Sequence, residues 1–413
     1  SEYKMLSYFA RVNYTLMDRY LFEVNMRADA SSRFHKDHRW GYFPSFSAGW
    51  RMSEESFMKD IEWINNLKIR ASYGTLGNIN NVGNYDYFQN YSSGNHYNFS
   101  DSPVIGIGES KPANETLGWE KVALTDIGLD FDIFNGLLGV TADYYIKNTS
   151  DILLGYNVPT ETGITAAPSQ NIGKVKNTGF ELALNHRNKI GAVNYSIGAN
   201  IATNKNKITN LGGSDNIIQT SSYIVKYILK KGESIGSFYG FKTDGLYTQA
   251  DIDAGHYYTL SGVVPNAGDI KFVPQRDIEY KQEITDEDRT ILGKDVPDFT
   301  YGVNLSLQYK GFGFSMFGQG ISGTKVAFDV YGVHPFYHGQ DSPRKYHLKR
   351  WTEENPNPHA AYPRIYSASS VHTTYNRNFS DYHLFDSDYF RFKTLSLGYT
   401  VPSATVKNWG LQS

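Results

Sequence analysis

The side chains best suited to binding a ligand lie in two polar stretches that are rich in aromatic rings. The first, "NYDYFQNYSSGNHYNF" (84–99), sets Tyr and Phe among Asn, Gln and Ser. Such rings can stack on sugars or hold an extended peptide, but packing of the loop on itself or contact with another protein is their more common role. The second stretch, 334–366, adds His and Arg donors. The predicted ligand-binding residues are Tyr87, Phe88, Tyr91, Tyr97, Tyr337, His338 and Arg364.

Residues arranged for catalysis are not recognised in the sequence. It lacks a phosphate-binding loop and a His-Glu-x-x-His zinc motif. The acid pairs Glu54–Glu55 and Glu353–Glu354 have no evident partner, so we interpret them as structural or solvated. We therefore predict that the protein is not an enzyme and that it has no catalytic residues and no cofactor.

The histidines are concentrated in one part of the chain. Six of the eleven lie between residues 334 and 383. His334 and His338 are four residues apart in "HPFYH", but Pro335 between them disfavours a helix that would bring both onto one metal ion. The pattern predicts a polar surface loop and no metal site.

Composition narrows the class of protein. The 413 residues carry a formal net charge of -2, which favours neither nucleic acid nor an anionic surface as a partner. There is no cysteine, and no apolar run approaches the ~18 residues that a transmembrane helix needs. The 32 tyrosines and 38 glycines suit many alternating strands joined by polar loops.

The elements that carry these loops are strands with one apolar and one polar face. In 299–309 the side chains alternate with a period of two, as in a β-strand. Tyr301, Val303, Leu305 and Leu307 form the apolar face, and Asn304, Ser306 and Gln308 form the polar face. A soluble sandwich would bury the apolar face, whereas a membrane barrel would turn it to lipid and the polar face to the lumen.

The lengths of the connections favour the barrel. Tight turns are predicted at 17–20, 134–139, 188–193 and 309–313. Long extracellular loops are predicted at about 77–118, 149–171, 208–297 and 326–386. Short turns that alternate with long loops are typical of outer-membrane barrels.

Counting strand directions from the tight turns gives about eleven membrane spans. The strand-like stretch 236–247 then lies outside the membrane, and 53–66 is the one helical-looking segment. Bacterial barrels have an even number of strands, so an odd count of spans predicts a fragment of a longer protein. The lack of a Met start and of a signal peptide leads to the same expectation.

Several stretches in order along the chain resemble the SusC/RagA-type TonB-dependent outer-membrane transporters of Bacteroidetes. They are "RADASSRF" (27–34), "RWGYFPSFSAGWRMSEESFMK" (39–59), "LKIRASYGTLGN" (67–78), "GWEKVALTDIGLDF" (118–131), "IGKVKNTGFEL" (172–182), "GSFYGFKTDGLY" (236–247), "PDFTYGVNLSL" (297–307), "RWTEENP" (350–356), "YPRIY" (362–366) and "FRFKTLSLGYTVP" (390–402).

This resemblance implies an all-β fold, in which residues 1–413 are an incomplete transmembrane antiparallel barrel from a 22-stranded plugged barrel. It also implies a multi-pass protein of the bacterial outer membrane, surrounded by lipid and lipopolysaccharide. The expected partners are TonB, through an N-terminal region outside this sequence, a SusD-like lipoprotein lid, and an oligosaccharide or oligopeptide cargo. The alternative is a structural or scaffold barrel in a larger outer-membrane assembly or secretion complex.

One segment departs from the pattern of the family. Between "GDIKF" (268–272) and "TDEDRTILG" (285–293), members usually carry an Asp/Asn/Gly-rich loop that resembles a calcium loop. Here the segment reads "VPQRDIEYKQEI" (273–284). A cation site on Asp277, Asp286 and Asp288 would need a tight turn to gather several oxygen ligands. We expect a solvated acidic loop and no calcium site.

Overall fold

The computed structural model describes residues 2–99, 102–155, 169–220, 224–328, 333–336, 342–403 and 406. Strands dominate this part of the chain, and none of its helices has the length and apolar character to cross a membrane. The chain divides into two compact units. The barrel unit comprises Ser1–Ser214, Phe299–Gly320 and Phe390–Ser413, and the inserted unit comprises Asp215–Asp298 and Ile321–Tyr389.

The strands and helices have the following bounds. The first eleven strands are β1 (Met5–Leu16), β2 (Tyr20–Ser31), β3 (Trp40–Arg51), β4 (Ile64–Asn78), β5 (Asn90–Phe99), β6 (Ser102–Lys111), β7 (Glu120–Ile133), β8 (Leu138–Gly155), β9 (Ser169–Ile190), β10 (Val193–Thr203) and β11 (Lys205–Leu211). The others are β12 (Asn216–Thr220), β13 (Lys226–Lys230), β14 (Ser237–Gly240), β15 (Lys242–Leu246), β16 (Thr259–Leu260), β17 (Ile270–Val273), β18 (Glu283–Ile284), β19 (Thr290–Lys294), β20 (Phe299–Tyr309), β21 (Phe312–Ser322), β22 (Lys325–Ala327), β23 (Leu384–Asp386) and β24 (Tyr389–Tyr399). The helices are α1 (Gln249–Ala254), α2 (Val371–Asn376) and the 3-10 turns Met52–Glu54, Asp286–Asp288, Lys345–Lys349 and Asp381–His383.

The barrel unit contains one large sheet. Its strands follow the order β1-β2-β3-β4-β7-β8-β9-β10-β20-β21-β24, with β11 paired to β9. Neighbours from β1 to β20 pair in antiparallel fashion. The predicted count of about eleven spans is therefore confirmed. The stretch 236–247 forms β14 and β15 in smaller sheets, so its exclusion from the spans is also confirmed.

Cross-strand register keeps polar and apolar residues on separate faces, because residues directly opposite each other share a face. One continuous polar row consists of Asn304, Gly198, Asn185, Gly139, Asp132 and Asn66. The row beside it consists of Leu305, Ile197, His186, Leu138 and Ile133 and is mostly apolar. A slip of one residue would exchange the two faces, so the alternation fixes the register.

The predicted tight turns lie between successive strands of this sheet. Met17 and Asp18 between β1 and β2, and Phe134 and Asn135 between β7 and β8, have positive φ angles of 52–57°. Left-handed backbone of this kind matches the twist of paired strands and allows a short reversal. The turn at 309–313 uses Lys310 and Gly311 in the same way.

The inserted unit has its own hydrophobic cores. One packs Phe241, Leu246, Ile270, Phe272 and further residues around Trp351 and Tyr375. A smaller one joins Val225, Phe238, Phe379 and Leu384. Because the two predicted loops 208–297 and 326–386 supply these residues together, they fold as one body and are more than simple connections.

The short turn helix predicted within 53–66 is present only as a 3-10 turn at its start. Only Met52–Glu54 forms a single 3-10 turn, and the segment continues as further turns before β4 begins at Ile64. Glu55 explains this geometry, because its carboxylate accepts hydrogen bonds from Tyr20 Oη (2.7 Å), Trp50 Nε1 (3.0 Å) and Arg19 Nη1 (2.9 Å). These contacts fix the connection to the ends of β2 and β3. Glu55 therefore has a structural role, as the sequence interpretation allowed, but it does have partners, which the sequence did not show.

Candidate functional site

The polar face of the large sheet carries a network of charged side chains. Arg70 in β4 donates from Nε to Asp130 Oδ2 (2.9 Å) and from Nη2 to Asp130 Oδ1 (3.1 Å) in β7. Lys68 Nζ lies 3.6 Å from the same carboxylate. These side chains are partly exposed, so they form a hydrated, charged wall. Such a wall suits polar solutes and would be unstable against lipid.

Two concave surfaces of the sheet are lined largely by residues of this polar face. One concavity of about 520 Å³ is lined by Asn66, Lys68, Asp130, Asp132 and Asn185, among others. A larger one of about 950 Å³ lies nearer the strand ends that carry the long connections. Its polar lining side chains include Glu23, Asn25, Arg27, Asp29, Arg33, Ser45, Asn78 and Asn80. The geometry agrees with the predicted inward direction of Asn304 and outward direction of Leu305.

The first aromatic loop divides into a buried and an exposed part. Tyr87 is 8% exposed and belongs to a core with Phe34, Phe43, Trp119 and neighbouring aliphatic residues. In this core Trp119 Nε1 donates to the carbonyl oxygen of Arg39 (3.0 Å). The ring of Tyr87 therefore holds the loop on the barrel unit and has little surface left for a ligand.

Two other predicted ligand-binding residues in this loop are exposed to solvent. Phe88 packs against Tyr87 in a tilted arrangement, with ring centroids 4.3 Å apart, and keeps half of its surface exposed. Tyr91, at the start of β5, is 64% exposed. Tyr97 lies in the same strand, and its side chain is outside the described part of the structure. The loop is thus anchored by the buried Tyr87 and presents the exposed rings of Phe88 and Tyr91. An anchored loop loses little conformational entropy when it binds a ligand.

Only some of the predicted ligand-binding residues in the second stretch, 334–366, lie within the described residues. Tyr337 and His338 lie outside the described residues. Arg364 is described: its guanidinium lies 5.4 Å from the ring centroids of both Trp351 and Tyr366. Its Nη2 forms an ion pair with Glu353 Oε1 (2.9 Å), and its side chain is 34% exposed. Arg364 is thus a partly exposed cation held in one orientation. Its ion pair also gives Glu353 a partner, which the sequence did not show.

A buried polar network that the sequence did not reveal lies behind Arg364. Asp269 is fully buried and accepts hydrogen bonds from Asn376 Nδ2 (2.8 Å) and the Asn266 amide (2.8 Å). Its Oδ2 lies 2.7 Å from His372 Nδ1, and the His372 ring stacks on Tyr366 at 4.9 Å. Burial raises the pKa of the Tyr366 hydroxyl, which stays neutral. The residues are far apart in sequence, so local patterning gives no signal for the network.

The prediction of a polar surface loop for the histidines was wrong for several of them. His334, His347 and His383 are all buried. His347 Nδ1 accepts from the Arg344 amide (2.7 Å), and its Nε2 lies 2.9 Å from the carbonyl oxygen of Val333. These hydrogen bonds make the histidine a structural link between two parts of the inserted unit.

The expectation of a solvated acidic loop at 273–293 was wrong at its centre. Asp288 is fully buried and is bound by protein donors, among them Arg276. Asp286 pairs with Arg289 (2.6 Å). Among the residues that the structure describes, no group of three or more His, Asp or Glu side chains is placed to hold a metal ion.

Two short matches to catalytic fingerprints have the wrong surroundings. "GESIG" (232–236) fits the Gly-x-Ser-x-Gly pattern, and "GQGISG" (318–323) fits the dinucleotide pattern. The first lies in a turn between β13 and β14, and most of the second lies inside β21. Both motifs need a strand followed by a helix, which neither has. They are coincidental matches.

The chain belongs to the TonB-dependent receptor family. Residues 1–412 match the family described as "TonB dependent receptor-like, beta-barrel". This places the chain among β-barrel proteins of the bacterial outer membrane and agrees with the large antiparallel sheet. The predicted fold class is confirmed.

Named relatives confirm the predicted SusC/RagA resemblance. TonB-dependent receptor P3 of Formosa agariphila is 32% identical over 419 residues, which cover 100% of this chain and 40% of that protein. TonB-dependent receptor SusC of Bacteroides thetaiotaomicron is 34% identical over 318 residues, which cover 75% of this chain and 30% of that protein. A solved structure described as the RagAB peptide transporter has a TM-score of 0.74 at 25% identity and covers 97% of this chain and 42% of its own. The chain therefore spans about 40% of the length of such relatives.

Proposed function

We propose that the chain is part of a TonB-dependent importer that carries an oligomeric nutrient, a glycan or an oligopeptide, across the outer membrane. The observation that carries this proposal is the charged, concave face of the twelve-stranded sheet. Side chains such as Arg70 and Asp130 would be unfavourable against lipid and suit a hydrated passage. Membership of the TonB-dependent receptor family supports the same conclusion.

A SusD-like lipoprotein is the proposed partner on the extracellular side, with TonB on the periplasmic side. The first segment of the inserted unit, Asp215–Asp298, leaves the large sheet after β11 and returns to it at Phe299, which pairs with Thr203 at the end of β10. These two residues lie at the opposite end of β10 and β20 from the tight turns at 188–193 and 309–313. A folded body inserted at that end is larger than strand connection requires and offers a surface for a lid.

Cargo contacts are proposed for six residues of the two aromatic stretches, of which Phe88, Tyr91 and Arg364 are seen to be exposed or partly exposed. The six residues are Phe88, Tyr91, Tyr97, Tyr337, His338 and Arg364. Rings with free faces can stack on sugar rings or on peptide side chains, and Arg364 offers several fixed donors. Tyr87 is removed from this set because it is buried.

The test is uptake by cells that carry the full-length gene, its deletion, or the deletion complemented with variants. Fluorescently labelled neutral oligosaccharides and oligopeptides are supplied separately, each with and without a protonophore. Import is supported if one cargo class enters in a gene-dependent and protonophore-sensitive manner. If neither class does, and the protein purifies tightly with assembly or secretion components, the scaffold alternative is correct.

A further inference from the structure

The guanidinium group of Arg276 is surrounded by oxygen atoms from a short stretch of the inserted unit. Its Nε and Nη2 donate to Asp288 Oδ1 and Oδ2 at 3.1 and 2.6 Å. Nη2 also donates to the carbonyl oxygen of Glu283 (3.3 Å), and Nη1 donates to Glu287 Oε2 (3.3 Å). Two carboxylates and one carbonyl therefore converge on a single positive charge.

Oxygen sets of this composition commonly bind hard divalent cations such as calcium. The segment also occupies the place where the family resemblance implies a calcium-like loop. Here the residues do not fit a metal ion, because the oxygen atoms are already engaged. Besides Arg276, the amides of Gln275 (3.0 Å) and Thr285 (2.9 Å) donate to the Asp288 carboxylate.

The burial of Asp288 explains why a cation is needed at this point. Its side chain has no exposed surface, whereas Arg276 is 35% exposed and Glu287 is 76% exposed. A buried carboxylate without a partner is strongly destabilising, and a planar guanidinium that binds both oxygen atoms offsets this cost well. Arg276 thus places a covalently tethered cation at the edge of the segment.

We propose that the Arg276 guanidinium takes the place of a divalent cation in this segment. The stretch 273–289 is then ordered without calcium. Without the arginine side chain, Asp288 keeps only its backbone-amide donors. Its uncompensated charge should then attract calcium, with Glu287 and the Glu283 carbonyl as further oxygen ligands. The proposal concerns the inserted unit alone and does not depend on the transport function.

The test is hydrogen–deuterium exchange of peptides from 273–289 in the full-length protein purified in detergent. In the wild-type protein, EDTA and calcium should give the same exchange rates. Arg276→Ala should speed exchange by about tenfold or more, because the buried carboxylate loses its counter-charge. About 1–10 mM calcium, which exceeds the dissociation constants of weak extracellular sites, should restore most of the protection. Magnesium and sodium at equal ionic strength should restore little.

Matched variants separate a cation site from a general loss of charge. Arg289→Ala removes an arginine from the same turn, where it pairs with the exposed Asp286, and calcium should not rescue it. Adding Asp288→Asn to Arg276→Ala should abolish the rescue, while Arg276→Lys should keep partial protection without calcium. The proposal is overturned if EDTA loosens the wild-type segment, if Arg276→Ala stays protected without calcium, or if calcium fails to restore it.

Discussion

Arg70 in β4 reaches across the neighbouring strand β7 to Asp143 in β8, with 2.9 Å between Nη2 and Oδ1. The residue of β7 beneath this ion pair is Gly128, directly opposite both Arg70 and Asp143. A Cβ atom on Gly128 would lie 2.1 Å from Asp143 Oδ1 and 2.7 Å from Arg70 Cζ. The glycine thus makes room for a contact that links three strands of the charged face.

The first prediction follows from this relationship. Gly128→Val should break the Arg70–Asp143 contact and destabilise the folded barrel by about 1–3 kcal/mol, because the new side chain overfills the space. The free energy of unfolding of the full-length protein in lipid vesicles measures the effect. Gly313→Val, in β21, is the control, since nothing lies within 4 Å of a Cβ there. Equal losses for both variants would contradict the explanation.

The second prediction concerns the two faces of β20. Leu305→Arg should lower the stability of the membrane-inserted barrel by about 2–4 kcal/mol, because the charge would face lipid near mid-membrane. Asn304→Arg should have a small effect, since Asn304 lies in the polar row with Gly198 and Asn185. Refolding into vesicles compares the two variants directly. A larger loss for Asn304→Arg would mean that the faces are reversed.

The third prediction separates structural from ligand-binding aromatics. Tyr87→Ala should lower the free energy of unfolding by about 3 kcal/mol, because it empties part of a packed core. The double variant Phe88→Ala/Tyr91→Ala should keep stability but weaken cargo uptake, as both rings are exposed. Thermal unfolding and labelled-cargo uptake are measured on the same variants. Unchanged uptake together with loss of lid binding would assign the exposed rings to the partner interface.

The fourth prediction is a pH dependence centred on Asp288. Hydrogen bonds from Arg276 and from backbone amides outweigh burial and lower the pKa of Asp288 to about 2, against an ordinary value of 3.8. A lowered folded-state pKa contributes stability that is present above about pH 4 and is lost as the pH falls towards 2. The shift corresponds to about 2 kcal/mol. Exchange protection of 273–289 should therefore decline over this window, and the Asp288→Asn variant should show no such decline.

The sequence by itself determined the barrel, its eleven spans and the family. A strand alternates its side chains with a period of two, so the faces of 299–309 and its neighbours can be read locally. Tight turns also depend on a few adjacent residues, such as Lys310 and Gly311. The motif stretches then identified the family without any knowledge of long-range contacts.

Only the tertiary structure decided which loop residues are buried. Tyr87 and Phe88 are adjacent and chemically alike, yet one packs in a core with Trp119 and the other is half exposed. Asp269 meets His372 across 103 positions of sequence. Contacts of this kind depend on how distant segments fold onto each other, which has no local period.

The acidic segment at 273–293 is a second case in which the sequence did not show whether a side chain is buried. Its composition predicts a solvated loop, because isolated carboxylates favour water. Arg276 and Asp288 are twelve positions apart in the sequence. In the folded chain, Nε and Nη2 of Arg276 donate to the two carboxylate oxygens of Asp288, which makes burial of this carboxylate possible. The sequence shows that Asp288 carries a negative charge. Only the folded chain decides that this charge is buried and paired.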